Sequence, residues 1–201
     1  MNLMQTQMNS LMKNKLLSIG IDVGSTNGAI SIIDEDGNIL FLKKTPTYQT
    51  LIKSKRNKSK LNKETGKFEA DFRKRTWVDF KKLGDIFKKY VNSKIIYTIE
   101  HISQRPNEGE TSSFMNGNSF GIFQGLYPFL NPIAYFEPTP GEWKKSLGVS
   151  AVKETSIKLA EDIYKIKLKD YLHKGKVDDI AEALLLSFYG LKKYYEINER
   201  E

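Results

Sequence analysis

The N-terminal third of the chain alternates short apolar runs with turn residues. Leu- and Ile-rich runs at 16–22 and 28–33, followed by a third at 39–43, each have the length of a β-strand. Between the last two, DEDGN at 34–38 is a strong hairpin signal, because Gly37 can adopt a positive φ. The pattern predicts an antiparallel three-stranded meander.

Farther along the chain, the apolar positions recur mostly at helical spacing. An amphipathic helix is predicted at 77–91, followed by a strand at 94–99. The later predicted elements are a helix at 114–127, a strand at 132–136, and helices at 140–147, 151–165 and 177–195. This order predicts an α/β fold with a mixed five-stranded sheet and helices on both faces. RNase H-like domains have this architecture, and the actin and hexokinase superfamily shares its core.

The segment between meander and first helix differs from both in composition. Residues 46–75 contain few large apolar side chains, and they are predicted to form a basic loop inserted in one domain spanning 15–201. Residues 53–82 hold twelve Lys and Arg against four acids, an excess equal to the net charge of +8 of the whole chain. Such a block suits a polyanion, although an ordinary solvated loop has the same composition. The candidate DNA contacts in it are Lys53, Lys55, Arg56, Lys58 and Lys60.

The amino-acid composition limits the kinds of metal site that the chain can form. The 201 residues include no cysteine and two histidines, which excludes disulfides, thiolate zinc sites and multi-histidine metal sites. A metal would be held by carboxylates, which favours Mg²⁺, with Mn²⁺ able to substitute. No apolar run reaches the ~18 residues of a membrane helix. Residues 1–14, expected to be a flexible leader, lack the apolar core of a signal peptide. We therefore expect a cytoplasmic protein without a membrane partner.

Carboxylates stand at three places where chemistry is expected. Asp22 ends the first predicted strand and Glu100 follows a later one. Asp178, Asp179 and Glu182 lie at the start of the last helix, and a spacing of three or four residues puts Glu182 beside both aspartates. Any one of these acids could be a turn residue or a helix-dipole partner. Like charges grouped this closely repel unless a cation neutralises them, so the set predicts a metal site. Two such ions can hydrolyse a phosphodiester without histidine or cysteine.

Four segments resemble motifs of the RuvC-type Holliday junction resolvases, in particular their phage, poxvirus and organellar branch. They are LLSIGIDVGSTNGAISIID, IYTIEH, PTPGEWKKSLGVSAVKE and KVDDIAEALLLS, and the resemblance extends over about 16–191. It implies that Asp22, Glu100, Asp179 and Glu182 are the catalytic, metal-binding acids. The family usually has Asp at the last of these positions, so Asp178 remains an alternative ligand.

The resemblance also implies an activity and an assembly. It implies a metal-dependent, structure-selective endodeoxyribonuclease that resolves branched DNA by paired nicks, as a homodimer with two-fold symmetry. Lys144, Lys145 and Lys153 match a lysine segment near the active site and DNA, and Arg105 could also contact phosphate. One of Phe114, Phe120 and Phe123 would stack on opened bases, and the others would pack in the core. The last helix has more apolar residues than one core-facing stripe needs, which indicates either a dimer interface or packing on neighbouring helices of the same chain: Leu184, Leu185, Leu186, Phe188, Leu191 and Tyr195.

Two other functions share part of this pattern. IGIDVGST also resembles the phosphate-binding turn of sugar kinases and actin-like ATPases, where backbone amides hold phosphate. Those enzymes have a second Asp-Gly turn late in the chain, which this sequence lacks. The other alternative is a non-catalytic nucleic-acid-binding module, against which the complete set of acids argues.

Overall fold

A five-stranded mixed sheet with helices on both faces forms the centre of the protein. The computed structural model describes residues 15–24, 26–53, 60–61, 68–69, 72–104, 108–172 and 176–199. The strands are β1 (Leu16–Asp22), β2 (Ala29–Asp34), β3 (Ile39–Lys44), β4 (Thr47–Lys53), β5 (Lys60–Leu61), β6 (Phe68–Glu69), β7 (Phe72–Val78), β8 (Lys94–Ile99) and β9 (Ala134–Phe136). The α-helices are α1 (Phe80–Phe87), α2 (Glu110–Leu130), α3 (Pro140–Leu147), α4 (Lys153–Tyr164) and α5 (Val177–Asn198), with a 3₁₀ turn at Leu168–Tyr171.

The main sheet has the strand order β3-β2-β1-β8-β9. Strands β1, β2 and β3 form the predicted antiparallel meander, whereas β8 and β9 add in parallel to the other side of β1. Every residue of β1 is buried, because helices cover both faces of this central strand. The predicted α/β fold with a mixed five-stranded sheet is therefore confirmed.

Alternation along β1 decides which side chains reach α5. Leu17, Ile19 and Ile21 pack into the core beneath α1 and α2. The residues between them, Ser18 and Gly20, face α5 instead, and Asp22 follows in the same alternation.

Small residues let α5 lie very close to the sheet. The Ser18 Oγ donates to the Ser187 carbonyl, and the Ser31 Oγ donates to the Ala183 carbonyl, both at 2.7 Å. A Cβ added at Gly20 would lie 2.2 Å from the Ala183 carbonyl oxygen, so no larger residue fits there. Backbone contact at this point fixes the position of the acidic first turns of α5 relative to the end of β1.

The basic segment is not the loop that the sequence predicts. Strands β4 and β7 pair in an antiparallel ribbon, with Thr47 opposite Val78 and Lys53 opposite Phe72. The β-branched and aromatic residues at these positions favour extended backbone, and cross-strand pairing outweighs the polar composition. The predicted start of the first helix was also wrong, because Trp77 belongs to β7. That helix begins at Phe80, where the Asp79 side chain caps it by accepting from the Lys82 N–H at 3.0 Å.

The predicted dimer interface on α5 is also wrong for most of its residues. Leu184, Leu185 and Leu186 are fully buried within the chain. Helix α5 packs against the sheet on one side and against α3 and α4 on the other, so it needs more than one apolar stripe. Within the described residues, no helix combines the length and the apolar character needed to cross a membrane.

Candidate functional site

Two carboxylates meet at one edge of the main sheet. Asp22 is the last residue of β1 and Glu100 directly follows β8. The parallel register pairs Ile21 with Ile99, and the Glu100 N–H donates to the Ile21 carbonyl at 3.0 Å. Carboxyl ends of parallel strands lie at the same edge, so the two acids that the sequence places 78 residues apart become neighbours.

Helix α5 brings three more acids to this edge. Asp178 and Asp179 occupy its first turn and Glu182 follows one turn later. Together with Asp22 and Glu100 they line one pocket, as the sequence analysis expected. Asp22, Glu100, Asp178 and Asp179 are each at most 8% exposed, which is rare for carboxylates without compensating charge.

The electrostatics of the acids differ. Burial raises the pKa of Asp22 well above its usual value, and repulsion from Glu100 and then Glu182 raises it further. Burial also acts to raise the pKa of Asp178, but the hydrogen bond and charge of Lys153 outweigh it and leave that pKa lowered. The pocket therefore combines an acid that favours its protonated form with one that a lysine keeps ionised.

Three lysines, each from a different element, neutralise the acids of α5. Lys144 from α3 forms an ion pair with Glu182 at 2.8 Å. Lys153, the first residue of α4, pairs with Asp178, and Lys44, the last residue of β3, pairs with Asp179. Two of these lysines were predicted near the site.

Sequence reasoning missed Lys44, although its signal was readable. In the meander, Asp22 pairs with Ala29 and Ala29 pairs with Lys44. The end of the third strand therefore returns to the level of the first acid. A lysine there, after two apolar strands, points to a counter-charge for the cluster.

A tryptophan holds Glu100. The indole N–H of Trp143 donates to Glu100 Oε1 at 2.8 Å, and the Trp143 side chain is fully buried. Helix α3 places this residue through a complete capping box, in which the side chains of Thr139 and Glu142 satisfy each other's backbone N–H groups. This contact joins Glu100, at the end of β8, to helix α3, which also carries Lys144. The sequence alone did not predict it.

Two of the remaining predicted DNA contacts, Lys145 and Lys53, do not line the pocket. Lys145 is exposed on α3, and Lys53 is exposed at the end of β4, in the ribbon. Lys60 belongs to β5, of which the structure describes the backbone. Arg105, Lys55, Arg56 and Lys58 lie outside the described residues, and their roles remain predictions.

The three candidate aromatics have different surroundings. Phe123 is fully buried, and Phe120 packs edge-on to His101 with ring centroids 6.1 Å apart. Phe114 is 59% exposed, and the stacking of one of these rings on a base remains a prediction. His101 lies at the sheet edge, with its Nδ1 2.7 Å from Glu137 Oε1.

The donor set suits a hard divalent cation. Six acids line the pocket, the five predicted ones and Glu108, and all of them offer oxygen, the ligand atom that Mg²⁺ prefers. In the part of the chain that the structure describes, no three Asp, Glu or His side chains are already spaced to hold one ion. The lysine pairs give the physical reason, because each ammonium group draws one α5 carboxylate toward itself. The lysines thus neutralise carboxylates whose negative charge a metal ion could balance instead.

Comparison with known proteins agrees with this geometry at the level of the fold. A structure of Thermus thermophilus RuvC in complex with a Holliday junction substrate matches with a TM-score of 0.50 and 11% identity, over 90% of this chain and 96% of that one. Another structure of Thermus thermophilus RuvC gives a TM-score of 0.49 at 13% identity, over 90% of this chain and 96% of that one. The chain has a RuvC-like fold. No protein-family model and no curated protein sequence matches it significantly.

The RuvC-like fold confirms the resemblance that the four motifs indicated. It also gives the glycine-rich turn after β1 a structural explanation. A Cβ added at Gly28 would lie 2.5 Å from the Gly24 carbonyl oxygen, so small residues are needed for the turn to close on itself. The close packing of the turn therefore accounts for the small residues that it shares with an ATPase phosphate loop.

Proposed function

We propose that this chain is a divalent-metal-dependent endodeoxyribonuclease that cuts branched DNA, such as Holliday junctions. One observation carries the proposal. On a RuvC-like fold, carboxylates from β1, β8 and α5 converge at a single sheet edge in one pocket. Non-catalytic DNA binding would not require buried like charges, which cost stability unless a cation joins them.

In this proposal Asp22, Glu100, Asp179 and Glu182 hold Mg²⁺, for which Mn²⁺ can substitute, and Asp178 is the alternative to Glu182. The bound ions would supply an activated water and a stabilised leaving oxygen. Trp143 fixes the orientation of Glu100 through its indole N–H. If Asp179 and Glu182 were to hold the metal, their present partners Lys44 and Lys144 would lose these ion pairs, and an ammonium group could then bind a phosphate oxygen.

Cleavage of a synthetic four-way junction tests the activity. We expect the junction to be nicked with Mg²⁺ and left intact with EDTA, whereas a matched linear duplex is cut far more slowly. Asp22→Asn, Glu100→Gln and Asp179→Asn should each abolish cutting and retain junction binding. Asp162→Asn, an exposed acid of α4, is the matched control and should cut normally. Normal cutting rates in the pocket variants would refute the site.

A second part of the proposal is a two-fold symmetric homodimer. One site cuts one strand, and resolving a four-way junction requires two cuts related by symmetry. Helix α2 offers an interface, because Gly117, Gly121 and Gly125 are exposed four residues apart. A Cβ added at any of them would meet no atom within 4 Å. Exposed Phe114 and Phe129 flank this glycine row, which would let two helices approach closely.

Sedimentation of Gly121→Arg tests this interface. The open space at Gly121 allows the substitution in a monomer, and arginine is a better helix former than glycine. We expect wild type to sediment as a dimer and the variant as a folded monomer that makes single, unpaired nicks in a cruciform plasmid. Gly84→Arg in α1, where a Cβ also meets nothing within 4 Å, is the control and should remain dimeric. A monomeric wild type, with and without junction, would refute the dimer.

A further inference from the structure

The β4–β7 ribbon is fixed against α2 by an aromatic contact. Trp77 of β7 meets Phe114 of α2 edge-on, with ring centroids 6.4 Å apart. The Trp77 indole N–H donates to the Thr50 Oγ1 at 2.9 Å, and the Arg75 guanidinium lies 5.6 Å from the Trp77 ring centroid. Contacts from both strands of the ribbon therefore hold β7 beside the N-terminal half of α2.

A polar groove lies between β7 and α2, next to the acid pocket. Its β7 side is formed by Arg73, Lys74, Arg75 and Thr76, and its α2 side by Thr111, Ser112, Met115 and Asn116. Thr26 and Glu108 complete the lining. Thr26, Glu108 and Asn116 also line the acid pocket, so the groove lies directly beside it.

The groove presents hydrogen-bond donors and positive charge. Arg73, Lys74 and Arg75 are consecutive, and within the described residues none of them forms an ion pair with a carboxylate. The ribbon strands β4 and β7 contain four basic residues and no acid. Thr26, Thr111 and Ser112, which carry hydroxyl groups, also line the groove. Glu108 is the acid of the lining, and its Oε1 accepts from the Asn116 Nδ2 at 2.8 Å.

We propose that this groove binds the phosphate backbone of the nucleic-acid strand that continues from the cleaved phosphate. The inference rests on the proposed function, because it places that strand relative to the acid pocket. Guanidinium, ammonium and hydroxyl donors recognise phosphate oxygens and give position without reading sequence. The occupant is one strand held by its phosphates, and the ribbon serves as the outer wall of the groove.

A salt titration of binding tests the charge of the groove. Anisotropy of a labelled four-way junction is measured in EDTA, so that no strand is cut. Each lost phosphate contact should make the plot of log affinity against log salt less steep, by about 0.7–0.9, and should weaken binding severalfold. The double variant Arg73→Gln with Lys74→Gln should therefore bind the junction ~10-fold more weakly than wild type. Lys158→Gln with Lys169→Gln removes the same charge from exposed positions on the α5 side of the sheet. This control should keep the wild-type slope, and equal slopes in both double variants would overturn the proposal.

Disulfide cross-linking tests the position of the strand. Because the chain has no cysteine, Thr111→Cys creates a single thiol on the α2 side of the groove. We expect its thiolate to displace the leaving thiol of a mixed disulfide tethered to a backbone phosphate within a few nucleotides of the branch point, and Lys158→Cys to form no such cross-link there. Cross-linking by Thr111→Cys that does not depend on tether position would overturn the proposal. If the wild type cuts junctions but the groove double variant keeps the wild-type salt slope, the groove proposal is refuted and the proposed nuclease function stands. If the double variant has a reduced slope but the wild type cuts no junction, the nuclease function is refuted and the groove proposal stands.

Discussion

Replacing Lys44 with methionine should separate the stability of the metal-free protein from its affinity for metal. The Lys44 and Asp179 side chains are 23% and 11% exposed, so their ion pair is mostly shielded from water. Exposed pairs contribute about 0–1 kcal/mol, and breaking a buried pair costs about 3–5 kcal/mol. An intermediate loss of about 1–2 kcal/mol is expected for Lys44→Met in EDTA, equivalent to a fall in Tm of ~2–8 °C for a chain of this size.

The free energy lost with the Lys44–Asp179 ion pair should be matched by an equal gain in the free energy of metal binding. In the wild type a metal ion must displace the Lys44 ammonium from Asp179, whereas in Lys44→Met that carboxylate is already available. A gain of about 1–2 kcal/mol corresponds to roughly 5–30-fold tighter Mn²⁺ binding. Saturating Mn²⁺ should then bring the unfolding free energies of the two proteins together.

Denaturant unfolding and Mn²⁺ titration by calorimetry measure the two quantities. Lys43→Met is the matched control, because Lys43 is the exposed neighbour and contacts the Phe41 ring rather than an acid. It should change neither stability in EDTA nor Mn²⁺ affinity. Weaker Mn²⁺ binding by Lys44→Met would show that this lysine supports the metal site rather than competing with it.

Three further predictions concern the packing of α5 on β1 and the acids of the pocket. Gly20→Ala should destabilise the protein by about 3 kcal/mol, at the upper end of overpacking costs, because its Cβ would collide with the Ala183 carbonyl; urea unfolding measures the loss. Asp22 has a raised pKa, so the folded state keeps a proton that the unfolded state releases, and stability falls as pH rises above the usual Asp pKa of about 3.9. Asp22→Asn in EDTA should therefore be more stable than wild type at pH 7 and equal to it near pH 3, and a constant difference would contradict the cause. Glu182→Gln should slow junction cutting more than Asp178→Asn in a Mg²⁺ titration, and the reverse order would assign the last ligand to Asp178.

The parts of the fold that the sequence predicts well are those in which local pattern and tertiary burial agree. Strand β1 is apolar throughout because it is buried on both faces, and its period of two decides that Asp22 follows Ser18 and Gly20 on the α5 side. The five acids could be named because four of them lie at or beside an element boundary that the pattern marks, and Glu182 lies one turn inside the last helix. The register of β1 and β8, which makes Asp22 and Glu100 neighbours, required the structure.

The errors arise where a distant partner decides the outcome. The segment before Trp77 has the composition of a loop, yet pairing with β4 makes it a strand, and the partner is separated from it by residues 54–71. The leucines of α5 suggested a second molecule because one helix face cannot use them all. Helices α3 and α4 of the same chain cover them instead. Neither outcome is encoded in a local window of sequence.

The contact between α5 and β1 also sets the order in which the protein can become active during synthesis. The hydrogen bond from Ser18 to Ser187 joins residues 169 positions apart, and that from Ser31 to Ala183 spans 152. Contacts of such long sequence separation form late, because most of the chain must be ordered before they close. The basic ribbon and the first two acids leave the ribosome long before the acids of α5. If the proposed function holds, a nascent chain would thus present its basic ribbon while the acid cluster is still incomplete, and nuclease activity would begin only when the last helix docks.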